Sequence, residues 1–304
     1  MNELPKRVED FLNYLKVIKN KSQNTIEGYE VDLRMFFRFY KLDKGLVSKD
    51  MKFQNINISD IIDNQIQSIT LQDLYNFVFY LQNERHNSEK SRARKIASLK
   101  SFFNYLETKA KLIKENPTRE LEIPKINKTR PIYLTMEESR KILNAAKDGG
   151  IREKRNYCMM VIMLNCGLRI SEILDLKIED LSEDTLRIEA GKGGEERFVY
   201  INDIVRRAVS DYIEEEGIIR GKMFNITDNQ ANNVIKKCCK IANIDKDITA
   251  HKLRHTFASI TMKKTKDMRH VQETLGHKNL SSTQIYTHVL DEDKKKYANE
   301  VQIG

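Results

Sequence analysis

No apolar run in this chain approaches the length of a membrane span. The most apolar stretch, Tyr157 to Leu164, is eight residues, whereas a spanning helix needs roughly 20. No secretory leader is expected, because Pro5, Lys6, Arg7, Glu9 and Asp10 stand where a continuous apolar segment would be. The expectation is a cytoplasmic protein that does not enter a membrane. Cysteine is scarce, with four in the chain and none in a C-x-x-C pair, since Cys158 and Cys166 lie eight apart and Cys238 and Cys239 are adjacent. That spacing argues against a thiolate metal site, and Cys158 and Cys166 read as small hydrophobes within an apolar run. Internal repeats and low-complexity tracts are also missing.

What the chain does have is length and positive charge. Its 304 residues suit two domains better than one. Lys and Arg number 53 against 44 Asp and Glu, a formal net charge of +9. The resulting pI near 9.1 points toward a polyanionic partner. Residues 1–128 hold 23 basic and 17 acidic side chains, a net +6, so two-thirds of the excess lies in the smaller N-terminal part.

Residues 1–115 carry helical periodicity. One stripe is Phe11, Leu12, Leu15 and Ile18; a second is Tyr29, Leu33, Phe36, Phe37 and Tyr40. Thr70 suits the N-cap of a third helix bearing Leu71, Leu74, Phe77, Val78 and Leu81, and a fourth carries Ile96, Leu99, Phe103 and Leu106. Residues 41–69 are polar and weakly periodic, too long for an ordinary bundle connection, and receive no assignment. Pro117, Pro124 and Pro131 make residues 116–131 an extended linker. The second domain, 132–304, opens with a capping box at Thr135 and Glu138, followed by a nearly all-apolar helix over 155–166. Leu186, Ile188 and Ala190 alternate with polar residues; glycines follow at 191, 193 and 194, then Phe198 to Ile201, a β-hairpin with a glycine-rich tip. Helices resume after Asn202. The expected fold is mainly α with one small antiparallel hairpin.

The candidate chemistry is concentrated late in the chain. Five of the six histidines fall between His251 and His288. In His251-Lys252-Leu253-Arg254-His255, His251 and Arg254 share a helix face and can converge on one anion. Leu275-Gly276-His277 ends a helix on a left-handed glycine, which presents His277 from a turn. Ser281, Ser282 and Thr283 suit the cap of a short helix that carries Tyr286. Arg169 also has a plain structural reading as a salt bridge to Glu172, Lys192 as an exposed turn lysine, and Tyr286 as one of twelve tyrosines.

The runs Gly167-Leu168-Arg169-Ile170-Ser171-Glu172, Gly191-Lys192-Gly193, His251 to His255, Leu275-Gly276-His277 and Gln284-Ile285-Tyr286-Thr287-His288 follow one another in order. In that order and spacing they resemble the tyrosine recombinase (phage integrase-like) family, and most closely its Xer branch. Ser22-Gln23-Asn24-Thr25, Tyr29, Asp32-Leu33, the helix from Ser91 to Leu106 and Asn116-Pro117 resemble the family's DNA-clamping domain. The resemblance therefore covers essentially the full length, residues 41–69 being longer than the usual Xer pattern. It implies a C-shaped clamp of a helical DNA-binding bundle and a catalytic domain, acting as a homo- or hetero-tetramer on two double-stranded recombination sites. An activating protein is a possible further partner. It implies that Arg169 and Arg254 grip the scissile phosphate, that His251 and His277 complete the pocket, and that Glu172 supports it. Lys192 would protonate the leaving 5′ oxygen, and Tyr286 would be the nucleophile. His255 and His288 are given no catalytic role, and His86 and His270 are read as solvated.

The chemistry asks for the same residue types. Two fixed guanidinium groups can stabilise the charge of a phosphodiester under attack, so no metal and no cofactor is expected. A tyrosine, with its pKa near ~10, needs a base or a positive field to become a nucleophile, and His251 is the better placed candidate. A lysine on a mobile tip can protonate an alkoxide. Lys90, Arg92, Arg94, Lys95 and Lys100 on one helix, with Arg197 after the hairpin tip, are the candidate DNA contacts. The tail from Asp291 to Gly304, whose Tyr297 and Val301 share one helical face with Leu290 just before it, is expected to pack on a neighbouring protomer. Two other readings stay open: a type IB topoisomerase, which shares nucleophile and cationic pocket, and a DNA-binding regulator with a degenerate site.

Overall fold

The computed structural model describes residues 3–124, 131–147, 150, 152–189 and 196–276, which group into two compact units divided at residue 128. The first unit contains α1 (Lys6–Val17), α2 (Gln23–Asp43), a short α3 (Asp63–Gln67), α4 (Leu71–Asn83) and α5 (Glu89–Thr108). Its core is aromatic: Phe11, Phe36, Phe37, Phe77, Phe102 and Phe103 are fully buried. They meet edge to face, Phe36 with Phe77 at 5.3 Å and Phe37 with Phe102 at 5.9 Å, the geometry their quadrupoles favour. Ser22, Thr70 and Ser88 cap α2, α4 and α5 with their hydroxyls, Thr70 within a capping box closed by Asp73.

The stretch from 41 to 69 is part of this core. Ile56, Ile58, Ile61, Ile66 and Ile69 are all buried, spaced too irregularly to match either the helix or the strand period. Lys41 ties the segment down from α2, donating to Asn57 O at 3.0 Å and to Asp60 Oδ2 at 2.7 Å.

The second unit is built around α7 (Glu153–Cys166), whose Cys158 to Met163 and Cys166 are buried. It packs on α6 (Met136–Lys147), α9 (Asp203–Glu216) and α11 (Ala250–Thr265). The capping box of Thr135 and Glu138 forms at the start of α6. The hairpin pairs β1 (Thr185–Ile188) with β2 (Arg197–Tyr200) in antiparallel register, Thr185 opposite Tyr200 and Ile188 opposite Arg197. The remaining helices are α8 (Ile170–Asp175), α10 (Asp228–Ile241) and α12 (Met268–Leu275). Gly167 ends α7 at φ 63° and Gly276 ends α12 at φ 62°, the left-handed conformation glycine adopts without strain. Among the described residues no helix is long and apolar enough to cross a membrane.

Candidate active site

Three segments meet at one carboxylate. The turn after α7 brings Arg169 to the N-terminus of α8, where its backbone N–H donates to Glu172 Oε2 at 2.8 Å and its Nη1 to Oε1 at 2.7 Å. From β2, Arg197 donates Nη1 to Oε1 at 3.0 Å and Nη2 to Oε2 at 2.8 Å. From α11, Arg254 brings Nη1 to 3.8 Å from Oε2. Burial alone would raise the pKa of Glu172, but the side-chain hydrogen bonds of Arg197, the Arg169 backbone N–H and the adjoining positive charge outweigh it and hold the acid at about 2. Glu172 is therefore a permanent anion among three cations.

Arg254 is buried, at 3% exposure. Its Nη1 donates to Gly167 O at 2.8 Å and its Nη2 to Leu275 O at 2.6 Å, fastening the turn after α7 to the end of α12. Arg169 Nη2 reaches Gly276 O at 3.3 Å from the more exposed side. Both guanidinium groups are thus oriented by backbone carbonyls at the end of α12, and Arg254 by the turn after α7 as well.

His251 and His255 lie one turn apart on α11, ring centroids 4.5 Å apart and crossed at 82°. Partial burial, then the charges of Arg254 and Arg169, lower the His251 pKa. Its imidazole is therefore neutral at physiological pH, the form that can accept a proton. His255 is pushed further, to about 4, by burial, His251 and Arg254.

The His255 shift has a consequence for stability. An unfolded chain protonates His255 near its ordinary value of 6.5 while the folded chain resists until about 4, so the stabilisation is present above 6.5 and is lost as pH falls toward 4. The thermal midpoint is expected to fall between pH 7 and pH 5, and His255→Gln to flatten that slope. Parallel slopes for the two proteins in a melting series would contradict this.

The structure brings Arg169, Glu172, His251 and Arg254 together. Lys192, His277, Tyr286 and the tail from Asp291 lie outside the described residues. Two expected DNA contacts are placed differently. Arg197 spends its guanidinium on Glu172 instead of facing solvent, and Lys95 is buried at 5% exposure with its Nζ 3.4 Å from Asp32 Oδ1. Both corrections have one cause, a carboxylate shielded from water on another element, which draws in more than one cation. Of the others on α5, Lys90 is exposed, Lys100 is partly exposed, and Arg92 donates to Asn87 O at 2.7 Å. Arg94 is 51% exposed in its side chain while held at 2.5 Å by Asp32, which also accepts from Ser98 at 2.7 Å. The sequence reading missed this anchoring function of Asp32. The Asp32-Leu33 pair signalled it, an acid beside a core leucine on the apolar stripe of α2. Among the described residues no group of His, Cys, Asp or Glu side chains is placed to hold a metal ion.

Comparison with known proteins defines the class first. The phage integrase family matches residues 133–293, more than half of the chain, and the phage integrase N-terminal SAM-like domain matches residues 8–58 and 52–110. The chain belongs to this family, and within it is a site-specific tyrosine recombinase of the Xer branch. Tyrosine recombinase XerC of Caldanaerobacter subterraneus is 44% identical over 308 residues, covering 97% of this chain and 86% of the relative. XerD of Listeria monocytogenes is 33% identical, covering 95% of each. Among solved structures, the XerA recombinase is 25% identical with a TM-score of 0.52, covering 98% of this chain and 99% of that one. The Tn1549 transposon integrase in complex with circular intermediate DNA is 19% identical with a TM-score of 0.71, covering 97% and 99%, a likeness in fold.

Proposed function

We propose that Tyr286 attacks a DNA phosphodiester and holds the strand as a 3′-phosphotyrosyl ester, with Arg169 and Arg254 stabilising the charge on the phosphate oxygens. His251 takes the phenol proton as the bond to phosphorus forms. Lys192 returns a proton to the departing 5′ oxygen, and His277 completes the pocket. Because the ester conserves the energy of the broken bond, a 5′ hydroxyl from a partner strand can reverse the step without ATP. The observation that carries this reading is the convergence of Arg169 and Arg254 on the Glu172 anion, with His251 in the field of both guanidinium groups. Preorganised donors of this kind stabilise developing charge without reorganisation at the moment of reaction.

The partner is double-stranded DNA with a specific recombination site. Four protomers on two sites exchange one strand pair and then the other through a Holliday junction, in chromosome dimer resolution or in integration and excision of a mobile element. Lys90, Arg92, Arg94 and Lys100 supply phosphate contacts from α5, and the tail from Asp291 docks on a neighbouring protomer. The setting is the cytoplasm, at the nucleoid.

The test is recovery and sequencing of DNA covalently attached to the protein, followed by reaction on a duplex nicked beside the recovered site. The parent chain is expected to accumulate adduct and Tyr286→Phe to form none. Adduct in the Phe variant would overturn the assignment of the nucleophile. Strand transfer between two duplexes separates recombination from simple relaxation of supercoils.

A further inference from the structure

Glu172 has about four lone-pair sites to offer, and Arg197 and Arg169 occupy all of them. Arg197 takes one on each oxygen, at 3.0 and 2.8 Å, and Arg169 takes the other two through Nη1 and its backbone N–H, at 2.7 and 2.8 Å. Arg254 Nη1 stands 3.8 Å from Oε2, outside hydrogen-bond length, with its forks on Gly167 O and Leu275 O. A saturated Glu172 thus attracts Arg254 by charge without drawing it in.

Arg197 also belongs to the frame. Its Nε donates to Thr274 O at 3.3 Å, and its side chain is only 16% exposed. A Cβ at Gly276 would sit 3.1–3.2 Å from its Nη1, Cδ and Cζ, so the glycine that ends α12 also makes room for this guanidinium. One side chain therefore joins β2, α8 and the end of α12.

We propose that Arg197 is a positioning residue of the recombinase, one that keeps Glu172 saturated so that Arg254 stays available to the phosphate. Without it two lone pairs on Glu172 open; Arg169 already holds its own two, and the next cation out is Arg254 Nη1 at 3.8 Å. That arginine then closes on the carboxylate, and its charge is spent on Glu172. The inference rests on the reading of Arg169 and Arg254 as phosphate-binding groups. It differs from a direct Arg197 contact to DNA in what it leaves unchanged: affinity for the duplex and its dependence on salt.

The experiment compares the parent chain, Arg197→Ala, Arg197→Lys, Glu172→Gln and the Arg197→Ala/Glu172→Gln pair on the nicked duplex recovered from the parent protein. Arg197→Ala is expected to slow single-turnover adduct formation on the order of 10–10²-fold, the loss typical of residues that orient a site's ligands. The dissociation constant should stay within about twofold and the salt slope should not change. Arg197→Lys, with one ammonium for two oxygens, should recover part of the rate. In the Glu172→Gln background the alanine substitution should add little, since both changes act on one contact. Weaker binding with a salt slope reduced by about one would identify a phosphate contact instead and overturn the proposal. So would an unchanged rate, or losses that multiply in the double variant. If Arg197→Ala melts below the assay temperature, Arg197→Lys decides by its rate, set against its dissociation constant and salt slope. No adduct with the parent chain would defeat the underlying reading of the pocket; adduct with the parent and equally with a folded Arg197→Ala defeats only the inference about Arg197.

Discussion

Arg254→Lys is expected to keep the positive charge and lose the reaction. Arginine at this position reaches Gly167 O and Leu275 O with two nitrogens of one rigid fork, 2.8 and 2.6 Å away. Lysine offers a single ammonium on a flexible stem and cannot hold both carbonyls in that geometry. One buried carbonyl then loses its donor, at a cost of roughly 1–3 kcal/mol, and the turns after α7 and α12 are no longer fastened together. The rate of phosphotyrosyl formation on a nicked site should fall by about 10²–10³, as it does when a preorganised donor to developing charge is removed. Affinity for the duplex should change little, because the net charge is preserved. A lysine variant that cleaves within tenfold of the parent chain would show that charge alone suffices here.

Gly167→Ala is expected to damage the same place through the backbone. The residue sits at φ 63°, a conformation that costs an alanine roughly 1–2 kcal/mol. Its Cβ would also overlap Phe257 Cδ1 and stand 2.7 Å from Phe257 Cε1 and 3.0 Å from Leu275 Cδ2. Forcing a methyl group into such a contact costs about 1–3 kcal/mol more. A total of about 3 kcal/mol lowers the melting temperature of a unit this size by roughly 6–12 °C at ~2–4 °C per kcal/mol. Phe257 lies on α11, the helix that carries His251 and Arg254, so its displacement carries the damage to the pocket. Calorimetry on the alanine variant checks the first consequence and the adduct assay checks the second. A melting temperature within about 2 °C of the parent would contradict the packing argument.

Much of this site was legible because its parts are local. Gly276 after the apolar stripe of α12 marks a helix end by backbone sterics alone. His251 and Arg254 share a face because of the helical repeat, and Thr135 with Glu138 forms a box because the two residues are three apart. Even the plain reading of Arg169, an ion pair to Glu172, is present at 2.7 Å, and the same carboxylate then serves the pocket. Lys95 and Arg197 were misplaced for the opposite reason. Lys95 is turned by Asp32, a carboxylate on a different helix, and Arg197 by Glu172, 25 residues earlier in the chain. No spacing rule connects those pairs.

The isoleucines from Ile56 to Ile69 teach the same lesson about the core. Ile56, Ile58, Ile61 and Ile69 enter it from irregular chain and Ile66 from the short α3, in a segment that Lys41 of α2 ties down. What the amino-acid order determined by itself was the set of local structures and the reactive side chains they present, since caps, helical faces and left-handed glycines follow from interactions within a few residues. What only the tertiary structure decided was which charged groups stay exposed and which neutralise a shielded carboxylate. An ion out of water must be satisfied by whatever cation the fold brings within reach, however distant it is along the chain.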